Sequence, residues 1–199
     1  MISTPFFLRQ LLQNFLAGLF FFTLALFCQP AVSQGQDAAI TDFTVLNSES
    51  ELLLYLEVTD WLSEDMQAAI ENGIPITFTF TIELLAERPN WPDRKIRGYE
   101  FNHTVVFDSL KKEYAVQRNE KNDSRITASL KEAAMLMSEI NGFQVARLDE
   151  LDTGVSYRLR ANAKLARKSL PLYFHYLVPF SSPWAFKTKW YELTLRLTL

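Results

Sequence analysis

Apolar and polar residues alternate strictly over Ile76-Thr77-Phe78-Thr79-Phe80-Thr81-Ile82-Glu83-Leu84, with every even position large and apolar. Successive side chains of a strand point to opposite faces, so this run predicts a strand with one buried and one wetter face. Tyr191, Leu193, Leu195, Leu197 and Leu199 repeat the pattern at the end of the chain. Weaker copies occur at Phe43 and Val45, Leu52 to Val58, Tyr99 to Phe107, Tyr114 to Val116, Val155 to Leu165 and Leu172 to Val178. The first two of these read as a hairpin across Asn47-Ser48-Glu49-Ser50, and Asp108 to Lys112 reads as the turn into Tyr114.

Two short helices interrupt the series. Ser63 is placed to cap a first turn holding Glu64 and Asp65; Met66, Ala69 and Ile70 form its apolar stripe, and Asn72-Gly73 supplies a left-handed exit. Ser129-Leu130-Lys131-Glu132 matches a capping box ahead of Ala133, Ala134, Met137 and Ile140, and Gly142 is expected to end that helix. Glu87 to Arg94 and the nearly all-polar Arg118 to Arg125 read as surface loops. The fold expected is mainly β, an antiparallel β-sandwich of seven or eight strands with two short helices at its edges or ends. The alternative is α+β, an open antiparallel sheet with both helices on one face.

The N-terminus follows a different rule. Arg9 precedes the apolar run Phe15 to Phe27, and Ala31-Val32-Ser33 follows ahead of Gln34. One positive charge, a greasy core and small residues at a cleavage site describe an export signal. Residues 1–33 are therefore expected to be a signal peptide and 34–199 a single β-rich exported domain in the periplasm. Inner-membrane anchoring by an uncleaved signal is the alternative; spanning takes about 20 apolar residues, and Gln13 and Asn14 interrupt the run. Lipid attachment at Cys28 fits less well, because Phe27 stands where such signals carry a small residue.

Cleavage would remove Cys28, the only cysteine, leaving a domain without disulfides or a thiol nucleophile. The formal charge of the whole chain, −3, gives no footprint for nucleic acid. Its distribution is uneven: residues 34–110 hold 14 acids and 4 bases, whereas 111–199 hold 9 acids and 15 bases.

No pattern of catalytic residues stands out, so the expectation is a protein that is not an enzyme and needs no cofactor or metal. His103 and His175 are the only histidines, far apart in sequence, and His103 falls on the apolar face of its strand, the place of a hydrogen-bonded core histidine. A site assembled from scattered residues, with Glu or Asp beside either histidine, is the enzymatic alternative. Two surface features stand out instead. Arg158, Arg160 and Lys164 share the polar face of one strand, and Arg167 and Lys168 follow it. Such a stripe suits anionic lipid or an acidic partner, unless these bases pair with the acidic half of the same domain. Trp91, between Pro89 and Pro92, and Trp184, after Pro183, are aromatic anchors suited to an interface or to closing the ends of a sandwich.

Several stretches taken together, namely the helix running into Asn72-Gly73-Ile74-Pro75-Ile76-Thr77-Phe78, the Trp91 loop, the Tyr114 strand, the capped Ala133-Ala134 helix and Leu170-Pro171 leading to Trp190-Tyr191, resemble a family of exported proteobacterial proteins classified only as a domain of unknown function. The resemblance covers nearly all of residues 38–199 and brings no functional residues. It implies a periplasmic accessory role, since members are encoded in some bacteria near a sensor histidine kinase of the nitrogen-regulation type. The function expected is a non-enzymatic periplasmic binding or accessory module engaging another envelope protein. A peripheral envelope protein that binds anionic lipid or another polyanion through the basic stripe is the alternative.

Overall fold

The computed structural model describes residues 38–165 and 186–196. The described residues belong to one compact unit, residues 35–199. The architecture is mainly β: two antiparallel sheets and two helices, with no closed barrel. The smaller sheet has the order β1 (Ala39–Asn47), β2 (Glu51–Thr59), β7 (Glu139–Arg147). The larger runs β10 (Tyr191–Arg196), β8 (Ser156–Leu165), β3 (Ile76–Ala86), β4 (Arg94–Asp108), β5 (Glu113–Arg118), β6 (Asp123–Thr127), and the short β9 (Phe186–Lys187) pairs with the far end of β8.

The alternation read from the sequence sets which faces meet. Phe78, Phe80, Ile82 and Leu84 of β3 are fully buried, as are Leu52 and Leu54 of β2, and all belong to one continuous core between the sheets. Burial of this kind contributes roughly 1.5–3 kcal/mol per large apolar side chain before chain entropy is set against it. The expected hairpin forms, with Ala39 opposite Thr59 and Asn47 opposite Leu52.

Both helices start as their caps dictate. In α1 (Glu64–Glu71) the Ser63 hydroxyl accepts from the Met66 amide at 3.2 Å, and Gly73 leaves the helix at φ +77°. In α2 (Leu130–Ser138) Ser129 accepts from the Glu132 amide, but the return arm of the capping box is relayed: the Ser129 amide donates to Thr127, whose hydroxyl donates to Glu132. The smaller sheet is too narrow to cover the inner face of the larger one, and α2 lies over β4, β5 and β6 with Ala133 and Met137 buried.

Two expectations are corrected. The second helix does not reach Gly142; it ends at Ser138, and Glu139 to Arg147 become β7, pairing with β2. The helical spacing of Met137 and Ile140 is overridden because β2 needs a partner on the side away from β1, and Ile140 opposite Leu56 fills the same core from an extended backbone. Arg118 to Arg125 is not a surface loop. Arg118 closes β5 with its side chain buried, a 3-10 turn spans Asn119–Lys121, and β6 returns along β5. The strand expected at Leu172 to Val178 and the final Leu197 and Leu199 lie outside the described residues.

Candidate functional site

A groove of about 540 Å³ opens along β7, between that strand, β4 and the turn at Asn119–Lys121. Its shape comes from irregularities in β7. Pairing with β2 slips by one residue at Val145 and again at Gly142, so both are bulged residues, and Gly142 sits at φ +69° where only a residue without a Cβ is unstrained. The bulges turn Phe143 toward β4, where its ring meets Tyr99 edge-on at 5.1 Å and Phe101 at a tilt at 5.0 Å. Tyr99 donates its hydroxyl to the Val145 carbonyl at 2.7 Å, tying the wall of the groove to the larger sheet. Arg97, Lys121 and Arg147 add positive charge at the groove; Arg97 is paired with Glu150 and Arg147 with Asp149.

Glu120 lines the groove with a side chain only 2% exposed, and behind it lies His103, fully buried. His103 Nε2 is 2.8 Å from Glu120 Oε2, and Nδ1 is 3.1 Å from the Met137 carbonyl oxygen. A carbonyl only accepts, so Nδ1 carries a hydrogen. Burial pushes the Glu120 carboxyl up, but the hydrogen bond and charge of His103, helped by Arg118, outweigh it and hold the group below its ordinary range. An ionised Glu120 also only accepts, so the Nε2 contact is a hydrogen bond given to that carboxylate, and both ring nitrogens of His103 are engaged by acceptors. The enzymatic alternative asked for an acid beside a histidine, and Glu120 is that acid. Both ring nitrogens are occupied, however, and the ring has no solvent-facing surface from which to take a proton from a substrate. Among the described residues no cluster of His, Cys, Asp and Glu has the arrangement of a metal site.

The basic stripe is placed on the outer face of the larger sheet. Arg158 donates to Glu87 at 2.8 Å, lies 3.1 Å from Asp93 and 3.9 Å from Glu192. Arg160 holds Glu83 through two nitrogens at 2.6 and 2.8 Å, and its guanidinium stacks 4.5 Å over Trp190. Glu83 also binds Lys95. These arginines of the basic half are thus joined to carboxylates of the acidic half. Lys164 stands apart: it is exposed, directly opposite Lys187 of β9, and among the described residues no ion pair engages it. Trp91 is 73% exposed on the loop before β4, the loop whose Asp93 reaches Arg158. Arg167, Lys168, His175 and Trp184 lie outside the described residues. Trp190 was noted from sequence only as part of an aromatic stretch, not as the ring beneath Arg160, and Glu120 beside His103 was not singled out, because it sat in a stretch polar enough to read as solvated.

A model described as a domain of unknown function, DUF4390, matches residues 35–194. The chain belongs to the DUF4390 family. The family so identified is of the kind that the resemblance implied, and its match spans both sheets and both helices. No curated protein and no solved structure matches the chain. Among the described residues no helix is long and apolar enough to cross a membrane.

Proposed function

We propose that this DUF4390 member is an exported, non-enzymatic binding module that holds an extended segment of another envelope protein in the groove along β7. The observation that carries the reading is the wall of Tyr99 and Phe143 beside exposed Lys121 in a groove of about 540 Å³. Apolar walls with a few placed charges are the usual build of a binding cleft, and the aromatic rings give contact area with little side-chain entropy to lose. The partner segment that fits carries an aromatic or branched apolar side chain next to acidic ones. Export to the periplasm is supported by Arg9, the apolar run Phe15 to Phe27 and Ala31-Val32-Ser33, the pattern of a cleavable signal. Capture from envelope extracts with the wild-type chain and a Phe143→Ala/Lys121→Glu variant tests the proposal. A protein retained by the first and lost by the second supports it; identical retention by both overturns it.

A second reading, contact with anionic lipid, is favoured by one observation. Lys164 and Lys187 face each other across β8 and β9, and like charges placed directly opposite destabilise a sheet unless an anion sits between them. Binding to vesicles with and without anionic lipid, compared with a Lys164→Ala/Lys187→Ala variant, separates this reading from the first.

A further inference from the structure

The other terminal strands of the two sheets are blunted. β1 carries a bulge with Asp42 at φ +49°, β7 carries two bulges, and β6 is five residues long with α2 packed beside it. Such devices keep edge strands from pairing with other chains. β10 has none of them. Its pairing with β8 is regular from Tyr191 opposite Ala161 to Arg196 opposite Ser156, and among the described residues no strand pairs with its outer edge. Its inward row is incompletely covered, with Tyr191 at 43% exposure.

The residues of this edge are arranged symmetrically. Glu192-Leu193-Thr194-Leu195-Arg196 has apolar neighbours on each side of Thr194 and opposite charges at the two ends. We propose that β10 pairs antiparallel with β10 of a second copy of this chain about a two-fold axis at Thr194, joining the two larger sheets edge to edge. In that register each Glu192 faces Arg196 of the second copy, each Leu193 faces Leu195, and the Thr194 residues face each other. Opposite charges, apolar pairs and Thr–Thr pairs are the combinations that stabilise neighbouring strands. A slip of one residue sets each inward side chain against an outward one, and a slip of two loses both charge pairs. A two-fold axis closes the assembly at a dimer because both copies use the same edge.

The charges at the ends are available for this role. Glu192 lies 3.8 Å from Arg160 and 3.9 Å from Arg158, while both arginines have shorter bonds to Glu83 and Glu87. Arg196 is exposed, and no ion pair engages it among the described residues. This inference is independent of the groove along β7, whose lining includes no residue of β10.

Light scattering or sedimentation of the full chain over a range of concentrations measures the self-association. Glu192→Arg and Arg196→Glu each set like charges opposite one another at both ends of the seam, and each is expected to weaken the dimer about tenfold or more. Mixing the two variants restores opposite charges at both ends and is expected to return the dimer to wild-type strength, which a folding defect would not do. In a Cys28→Ser background, Thr194→Cys is expected to cross-link to itself on oxidation and Leu193→Cys is not. A wild-type chain that stays monomeric at its highest soluble concentration overturns the proposal. So does a mixture no stronger than its components, or cross-linking by Leu193→Cys in place of Thr194→Cys.

Discussion

His103 Nε2 and Glu120 Oε2 lie 2.8 Å apart with side chains 0% and 2% exposed, so the Glu120 carboxylate has no water to fall back on. Removing one partner of a buried pair strands the other, at a cost of about 3–5 kcal/mol. Glu120→Ala is expected to lose stability on that scale in urea unfolding. Glu120→Gln is expected to lose far less, because its amide donates to Nε2 of a neutral imidazole whose Nδ1–H still reaches Met137. Equal losses in the two variants would show that cavity formation, not the stranded charge, sets the cost.

The same pair gives the fold an acid limit. The folded-state value of Glu120 lies below its ordinary 4.5, so its contribution is fully present above that pH and disappears as pH falls through the lower folded value. Glu83 has the same sign: burial pushes it up, but hydrogen bonds from Lys95 and Arg160 hold it down. Unfolding free energy is expected to fall steadily below pH 4.5, and Glu120→Gln is expected to flatten part of that fall. A Glu120→Gln profile parallel to wild type would assign the acid sensitivity to other carboxylates.

Arg158 and Arg160 share Glu192 at long range and bind separate acids at short range, so their effects should be coupled. Arg158 is 35% exposed, and its replacement by Ala is expected to cost little once solvent screens its ion pairs. Arg160→Ala also loses the stack on Trp190 and leaves a half-buried Glu83 with Lys95 alone, so its loss is expected to be the larger. A double-mutant cycle in thermal unfolding measures the coupling; strict additivity would mean that Glu192 joins nothing.

What the sequence revealed and what it hid divide along one physical line. Alternation and capping are local, so the inward face of β3, the burial of His103 and the start of both helices were legible. Pairing is not local. Nothing near Glu139 announces a strand, because Met137 and Ile140 also suit a helix and only the open edge of β2 selects the extended form. That Arg158 pairs with an acid of the other half was legible, but not that the acid is Glu87, 71 residues earlier. Glu120 reads as solvated for the same reason: its partner lies 17 residues back on a strand whose polarity gives no hint of a buried acid.

Gly142 tests whether the bulges of β7 are required for the groove. At φ +69° an added Cβ is strained by about 1 kcal/mol, and it would also meet the Tyr55 hydroxyl at 3.4 Å. Gly142→Ala is expected to lose somewhat more than that strain alone in urea unfolding. Gly142→Asn is expected to lose less backbone energy, since Asn visits the left-handed region more readily, though its larger side chain still has to clear Tyr55. If the bulge also positions Phe143, Gly142→Ala should weaken capture of the partner segment by more than its stability loss accounts for, measured well below the unfolding transition. A variant as stable as wild type would mean that β7 straightens without cost, and the groove would then owe its shape to Tyr99 and its bond to Val145.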